Sequence, residues 1–177
     1  VALPCREHMN ELLIASNNRH KLREIRAILE PCGLRVLGAG DVGGIPEVVE
    51  DGDSFAANAV KKALEVAQAT GRCVLADDSG LEVEALSGAP GIYSSRYAGQ
   101  GAGDAANLAK LLANLQEKPQ RQARFVCVVA VATPAGLRGT AEGEVRGRIV
   151  DTPRGTNGFG YDPVFVPDGW TCTFAEL

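Results

Sequence analysis

An α/β fold, with a mixed, twisted central sheet flanked by helices, is what the sequence predicts, on three observations. Apolar runs of strand length interleave with helix-period stretches along the chain; Phe125 to Ala132 is valine-rich enough for a central strand covered on both faces; and Gly, Pro and Asn clusters separate the segments.

The first run, Glu11 to Ala15, reads as a strand that ends at polar Ser16-Asn17-Asn18. Leu22, Ile25, Ile28 and Leu29 then recur at helical spacing until Pro31-Cys32-Gly33 stops them. Leu34 to Leu37 is a second strand, followed by a loop over Gly38 to Gly44 and Pro46. Ser54 is a good N-cap for a helix running to Thr70, with Phe55, Ala59, Ala63 and Ala67 on one face and Gly71 as its stop. Cys73 to Ala76 makes a third strand, and Leu81, Val83 and Ala85 alternate with Glu82 and Glu84 as a half-exposed one. Asp104 is expected to cap a helix through Leu115 whose buried face carries Leu108, Leu111, Leu112 and Leu115. Beyond Phe125 to Ala132, Thr133 to Gly136 is a turn, and Leu137 to Val150, with its glycines, reads as an exposed, bulged hairpin arm.

At 177 residues the chain has the size of one domain, and its formal net charge of -4 gives no footprint for duplex nucleic acid or an anionic membrane. A small phosphorylated ligand suits it better than a polymer. No apolar run approaches the roughly 20 residues of a membrane span, so a cytoplasmic protein is expected. Residues 1–8 read as a non-native or disordered extension, and 9–177 as a single α/β domain. The five cysteines, Cys5, Cys32, Cys73, Cys127 and Cys172, form no C-x-x-C pair and are expected to be buried or idle thiols. With only His8 and His20 in the chain, a general base is more naturally a carboxylate.

Three polar segments carry possible chemistry. Ser16, Asn17 and Asn18 stand at a helix N-terminus, where backbone amides and the dipole attract anions, and Lys21 adds a full charge in the first turn; an ordinary helix cap with a solvated lysine has the same residues. Asp77-Asp78-Ser79-Gly80 is expected to leave a strand at the end of the sheet, where a carboxylate can bind Mg²⁺ shared with phosphates, or simply to form a turn. Gly158-Phe159-Gly160-Tyr161 frees the backbone around two aromatics, suiting a stacked base or an aromatic turn that anchors the core. Glu47, Glu50, Asp51 and Asp53 precede the Ser54 helix; one of them could complete a metal site with Asp78. Lys61 and Lys62 lie on that helix, and at most one can face the site. Arg96 is a further anion ligand or an exposed ion-pair partner. Gly38-Ala39-Gly40-Asp41-Val42-Gly43 matches G-x-G-x-x-G, but Gly44-Ile45-Pro46 would interrupt the helix that a dinucleotide fold begins there.

Five blocks in order, Ser16 to Glu24 (SNNRHKLRE), Ser54 to Ala63 (SFAANAVKKA), Ala76 to Leu81 (ADDSGL), Gly88 to Tyr97 (GAPGIYSSRY) and Gly155 to Pro163 (GTNGFGYDP), resemble the inosine triphosphate pyrophosphatase family, which hydrolyses non-standard purine nucleoside triphosphates such as ITP, dITP and XTP. The resemblance runs from Met9 to Leu177 and implies a long mixed sheet in two lobes with a substrate cleft between them, a Mg²⁺ cofactor and a homodimer. It implies that Ser16, Asn17, Asn18 and Lys21 hold the triphosphate, with Glu24 near the metal, and that Glu50 and Asp78 bind Mg²⁺. Asp78 would also orient or deprotonate the attacking water, Lys62 and Ser79 would complete the phosphate contacts, and Phe159, Gly160, Tyr161 and Asp162 would receive the base, with Phe159 stacked on it.

The sequence departs from the family pattern twice. Ala57 stands before Asn58 where the family has Glu, which removes a carboxylate from the metal side. The chain ends at Thr173-Phe174-Ala175-Glu176-Leu177, where the family continues into a lysine-bearing segment and a Ser-His-Arg motif that grip the purine carbonyl oxygens. These departures keep two alternatives in play: a nucleotide-binding protein without turnover, and a related pyrophosphatase of different base preference.

Overall fold

The structure, a computed structural model, describes residues 10–177, so the expected extension over 1–8, Met9 and Cys5 lie outside the described residues. Strand β1 (Glu11–Ile14) pairs in parallel with β2 (Arg35–Leu37) and with β3 (Val74–Val83), and β5 (Gly136–Ile149) pairs antiparallel with β6 (Phe165–Pro167). With β4 (Gln122–Thr133) the hydrogen-bonded order is β2-β1-β3-β4-β5-β6, the mixed sheet expected. The helices are α1 (Arg19–Leu29), α2 (Phe55–Thr70) and α3 (Gly103–Leu115). The chain divides into two compact units, one of residues up to Asp78 with Val128–Ala141, the other of Ser79–Cys127 with Glu142–Leu177.

In the first unit, Leu12, Ile14 and Val36 on β1 and β2 are buried, and Leu22, Ile25 and Leu29 of α1 pack against them. The i, i+3, i+7 spacing of those three side chains is what turns one helix face onto the sheet. Helix α2 begins and ends where its sequence signals stand. Ser54 Oγ accepts from the Ala57 amide at 3.2 Å, and Gly71 closes the helix in a left-handed conformation at φ 69°. Its buried stripe is Phe55, Asn58, Ala59, Ala63, Val66 and Ala67, so one polar residue sits among apolar ones.

The second unit is built around Leu81, Val83, Leu111, Leu115, Ala123, Ile149, Tyr161, Val164 and Phe165. Phe165 also meets Phe125 edge-on at 4.7 Å and Phe174 at 5.2 Å between ring centroids. Leu111 and Leu115 are fully buried, and Leu108 and Leu112 only partly, so the expected helix face is present with its edge half-exposed.

Four expectations need correction. Asp77 to Gly80 do not form a turn or leave the sheet; they lie inside the ten-residue β3, where tertiary pairing overrides their turn preference. Strand β4 is not covered on both faces, because its residues alternate in burial and Cys127 is exposed. Cys32 is exposed too, and Cys73 and Cys172 are only partly buried, so none of the four described thiols is a core residue, although all four are free of disulfides. Asp104 is not the cap of α3 but lies in its first turn, behind Ala102. The G-x-G-x-x-G segment makes only a short 3-10 turn, Ala39–Val42, ended by Gly43 at φ 80°, so no dinucleotide helix starts there. Among the described residues, no helix is long and apolar enough to cross a membrane.

Candidate active site

In the first unit, three elements converge on Asp77 and Asp78 of β3. Successive strand residues point to opposite faces, so the two carboxylates serve different neighbours. Asp77, 5 % exposed, accepts at Oδ2 from Lys21 Nζ of α1 at 2.6 Å. Its backbone carbonyl accepts from Lys62 Nζ of α2 at 2.9 Å, and the same ammonium pairs with Glu50. The neighbouring Lys61 instead pairs with Asp51 at 2.6 Å, so of the two adjacent lysines only Lys62 contacts the β3 segment.

Asp78 is buried and accepts at Oδ2 from Asn58 Nδ2 at 2.9 Å. Burial holds its carboxyl above the usual carboxylate range; the Asn58 hydrogen bond opposes that shift, the like charge of Glu50 adds to it, and Lys62 and Lys21 pull it back. Glu50 and Asp78 therefore sense one another electrostatically, and carboxylate oxygens are the donor type that a hard cation takes.

The residues that lead into α1 are arranged differently from a bare helix end. Asn18 is the N-cap of α1, and its Oδ1 accepts from the amides of His20 at 2.9 Å and Lys21 at 3.3 Å. Ser16 Oγ accepts from the Asn18 amide at 3.1 Å. Two amides expected to face an anion are thus engaged by the cap. Asn17 is exposed beside them, and Glu24 is exposed on α1. Ala57 lies half-buried in the first turn of α2, beside Asn58.

In the second unit, Ser79 follows on β3 and is half-buried. Arg96 sets its guanidinium 5.2 Å from the centre of the Tyr93 ring, a cation–π contact. The loop of Phe159 to Asp162 is held by carboxylates: Asp162 accepts from the Phe159 amide at 2.9 Å, and Asp104 of α3 accepts from the Gly160 amide at 2.8 Å. Tyr161 turns away from any surface role. Its ring is in the core, and its hydroxyl donates to the Ser94 carbonyl at 2.8 Å. Phe159 and Gly160 remain half-buried.

Across residues 12–177 the chain matches the model of the Ham1 family. The chain belongs to the Ham1 family. Among its relatives it is 52 % identical over 169 residues to a dITP/XTP pyrophosphatase of Desulforamulus reducens, covering 94 % of this chain and 84 % of that one. It is 46 % identical over 171 residues to the dITP/XTP pyrophosphatase of Bacillus subtilis, covering 96 % and 86 %. Of solved structures, the Staphylococcus aureus Ham1 protein superposes with a TM-score of 0.82 at 42 % identity over 94 % of this chain and 86 % of that one. A HAM1 protein from Coxiella burnetii superposes with 0.84 at 38 % identity over 96 % and 87 %. The five sequence blocks thus identified the family correctly.

Asp77 and Asn58 are the residues that sequence reasoning left without a role. Of the two adjacent acids the resemblance gives a role to Asp78 alone, and nothing local in the sequence shows that Asp77 is the one that meets Lys21. For Asn58 a signal existed: an amide on the apolar stripe of α2 has to find buried partners.

Proposed function

We propose that the protein hydrolyses non-standard purine nucleoside triphosphates, dITP, ITP and XTP, to the monophosphate and pyrophosphate. The observation that carries this reading is the meeting of two ammonium groups and three carboxylates around one stretch of β3: Lys21 on the Asp77 carboxylate, Lys62 on the Asp77 carbonyl and on Glu50, and Asp78 in a buried setting. Membership of the Ham1 family and the names of the relatives, dITP/XTP pyrophosphatases, support the substrate class.

In this reading Lys21 and Lys62 exchange their acid partners for phosphate oxygens and neutralise the charge that develops on the leaving pyrophosphate. Ser16, Asn17, Asn18 and Ser79 add neutral phosphate contacts, and Arg96 an ionic one. Asp78 accepts the proton of a water that attacks the α-phosphorus in line; the new P–O bond forms as the bond to the bridging oxygen breaks, and pyrophosphate departs. Burial makes Asp78 a stronger base than an exposed aspartate, which suits that task.

A Mg²⁺ ion fits the donor set. Among the described residues no group of three or more His, Cys, Asp or Glu forms a metal cage, and Mg²⁺ is usually held by one or two carboxylates with waters and substrate phosphates. Glu50 and Asp78 would hold it, and when bound it would supply charge neutralisation at the phosphates. Phe159 stacks on the base, with Gly160, Asp162 and the backbone of Tyr161 around it. Like the family resemblance, the reading includes a homodimer, to be tested by sedimentation.

The deciding experiment measures pyrophosphate release from ITP, dITP, XTP, GTP, ATP and CTP, with and without Mg²⁺, beside Asp78→Asn. Metal-dependent release favouring the first three and lost in the variant is expected. Saturable nucleotide binding without release would replace this reading by a binding protein.

A further inference from the structure

We infer that Asn58 is a positioning residue that ties the loop bearing Glu50 to the carboxylate of Asp78 and so sets the spacing of the two acids. The inference rests on the assignment of Asp78 to the reaction made above.

Asn58 is 1 % exposed on α2 and makes two hydrogen bonds of opposite sense. Its Oδ1 accepts from the Gly52 amide at 2.8 Å, and its Nδ2 donates to Asp78 Oδ2 at 2.9 Å. A backbone N–H can only donate and a carboxylate can only accept, so the amide has one orientation that satisfies both, and an asparagine is the side chain of this length that serves both ends. Gly52 is two residues beyond Glu50, so the first bond fixes the acidic loop against α2, and the second fixes one oxygen of Asp78.

Gly52 shows how closely this joint is fitted. A Cβ there would stand 2.7 Å from Asn58 Oδ1 and 2.9 Å from Ala57 Cβ, whereas its backbone is not in the left-handed region, so an alanine would have to displace Asn58 and Ala57 and meets no conformational barrier of its own. Two carboxylates beside one another repel; a neutral amide that bonds one and restrains the loop of the other holds them together without adding charge. Partners that orient metal-binding side chains typically carry 10–100-fold of affinity or activity.

The test uses Asn58→Leu, which keeps volume and removes both bonds, and Gly52→Ala, which disturbs the amide from the opposite side without touching Asp78. Three readouts are compared with the parent: kcat and KM for ITP, Mn²⁺ binding without nucleotide by electron paramagnetic resonance, and the melting temperature. Asn58→Leu is expected to lower kcat roughly 10–100-fold with KM changed by less than about 3-fold, and to weaken Mn²⁺ binding by about 10-fold. Gly52→Ala should show the same pattern at smaller amplitude. Should Asn58→Leu not fold, Gly52→Ala decides alone. Folded variants with parental kcat and Mn²⁺ affinity overturn the inference, as does a loss confined to stability. An Asp78→Ala control separates the two levels: full activity in it removes the catalytic reading itself, while an inactive control beside parental Gly52→Ala and Asn58→Leu removes only the role of Asn58.

Discussion

Lys21 and Asp77, 56 positions apart in the chain, meet at 2.6 Å and join the first turn of α1 to the middle of β3. The acid is nearly buried and the ammonium partly exposed, 6 % and 21 % by side chain, so the lysine reaches solvent with its charge matched by Asp77. Lys21→Met should lower kcat/KM for ITP by roughly 10²–10³-fold, the scale of losing one donor to developing charge. Asp77→Asn should cost about 1–2 kcal/mol in urea unfolding, less than a fully buried pair because Lys21 is still solvated. It should also tighten pyrophosphate binding, since phosphate no longer displaces an acid. Parental kcat/KM in Lys21→Met would end the phosphate role given to that residue.

Asp78 makes a prediction of opposite sign to an ordinary salt-bridged acid. Its carboxyl in the folded chain is pushed above the ordinary 3.8 by burial and by Glu50. As pH rises from that value the unfolded chain loses its proton first, so stability contributed by this group is present at low pH and lost as pH climbs through the folded pKa. Without metal, Asp78→Asn should therefore melt higher than the parent at pH 7, with the gap closing towards pH 4. Calorimetric scans in chelator at three pH values measure it. A lower melting temperature for the variant at pH 7 would show that the Asn58 bond and the lysines outweigh burial.

How far the sequence could be read depended on whether the signal was local. The bounds of α2 follow from Ser54 and Gly71, which act on their own turns, and the α1 face follows from periodicity. The continuity of β3 through Asp77 and Asp78 is not local: the two adjacent acids lie within a strand with partners, Lys21 and Asn58 among them, that come from far away in the chain. The same holds for Phe165 to Pro167. Three residues carry no periodicity, and their strand exists through Gly147 to Ile149 of β5. In the site, the residue types were legible and the pairings were not; the amides next to Asn18 looked open until the cap geometry showed them engaged.

Tyr161 offers a test of how the loop over 159–162 is anchored to the core. Its hydroxyl donates to the Ser94 carbonyl, and burial, together with Tyr97 and Asp104, raises its pKa far above the ordinary 10.0. The unfolded phenol ionises first, so the group's contribution to stability is whole below pH 10 and lost above it. Tyr161→Phe should cost about 1–2 kcal/mol at pH 7, the loss of one buried hydrogen bond, and should show a shallower fall in stability between pH 9 and about 11. Equal slopes for parent and variant would place the ring closer to solvent than the core packing implies.

Two glycines of one loop should respond very differently to alanine. Gly155 has φ 80°, and a Cβ there would come within 2.2 Å of the Ala175 carbonyl carbon and oxygen. That same carbonyl accepts from the Thr156 and Asn157 amides, both at 3.0 Å, so the chain turns tightly around it. The contact is backbone and cannot swing aside. Gly155→Ala should cost about 2–5 kcal/mol, conformational strain plus overpacking, and should speed hydrogen exchange at Thr156 and Asn157. Gly160, at φ 60°, has nothing within 4 Å of the same position. Gly160→Ala should therefore cost only the conformational share, about 1–2 kcal/mol, and leave exchange at Thr156 and Asn157 at the parental rate. Equal losses in the two variants would mean that the Ala175 carbonyl yields, and that the turn over 155–157 is held by φ preference alone.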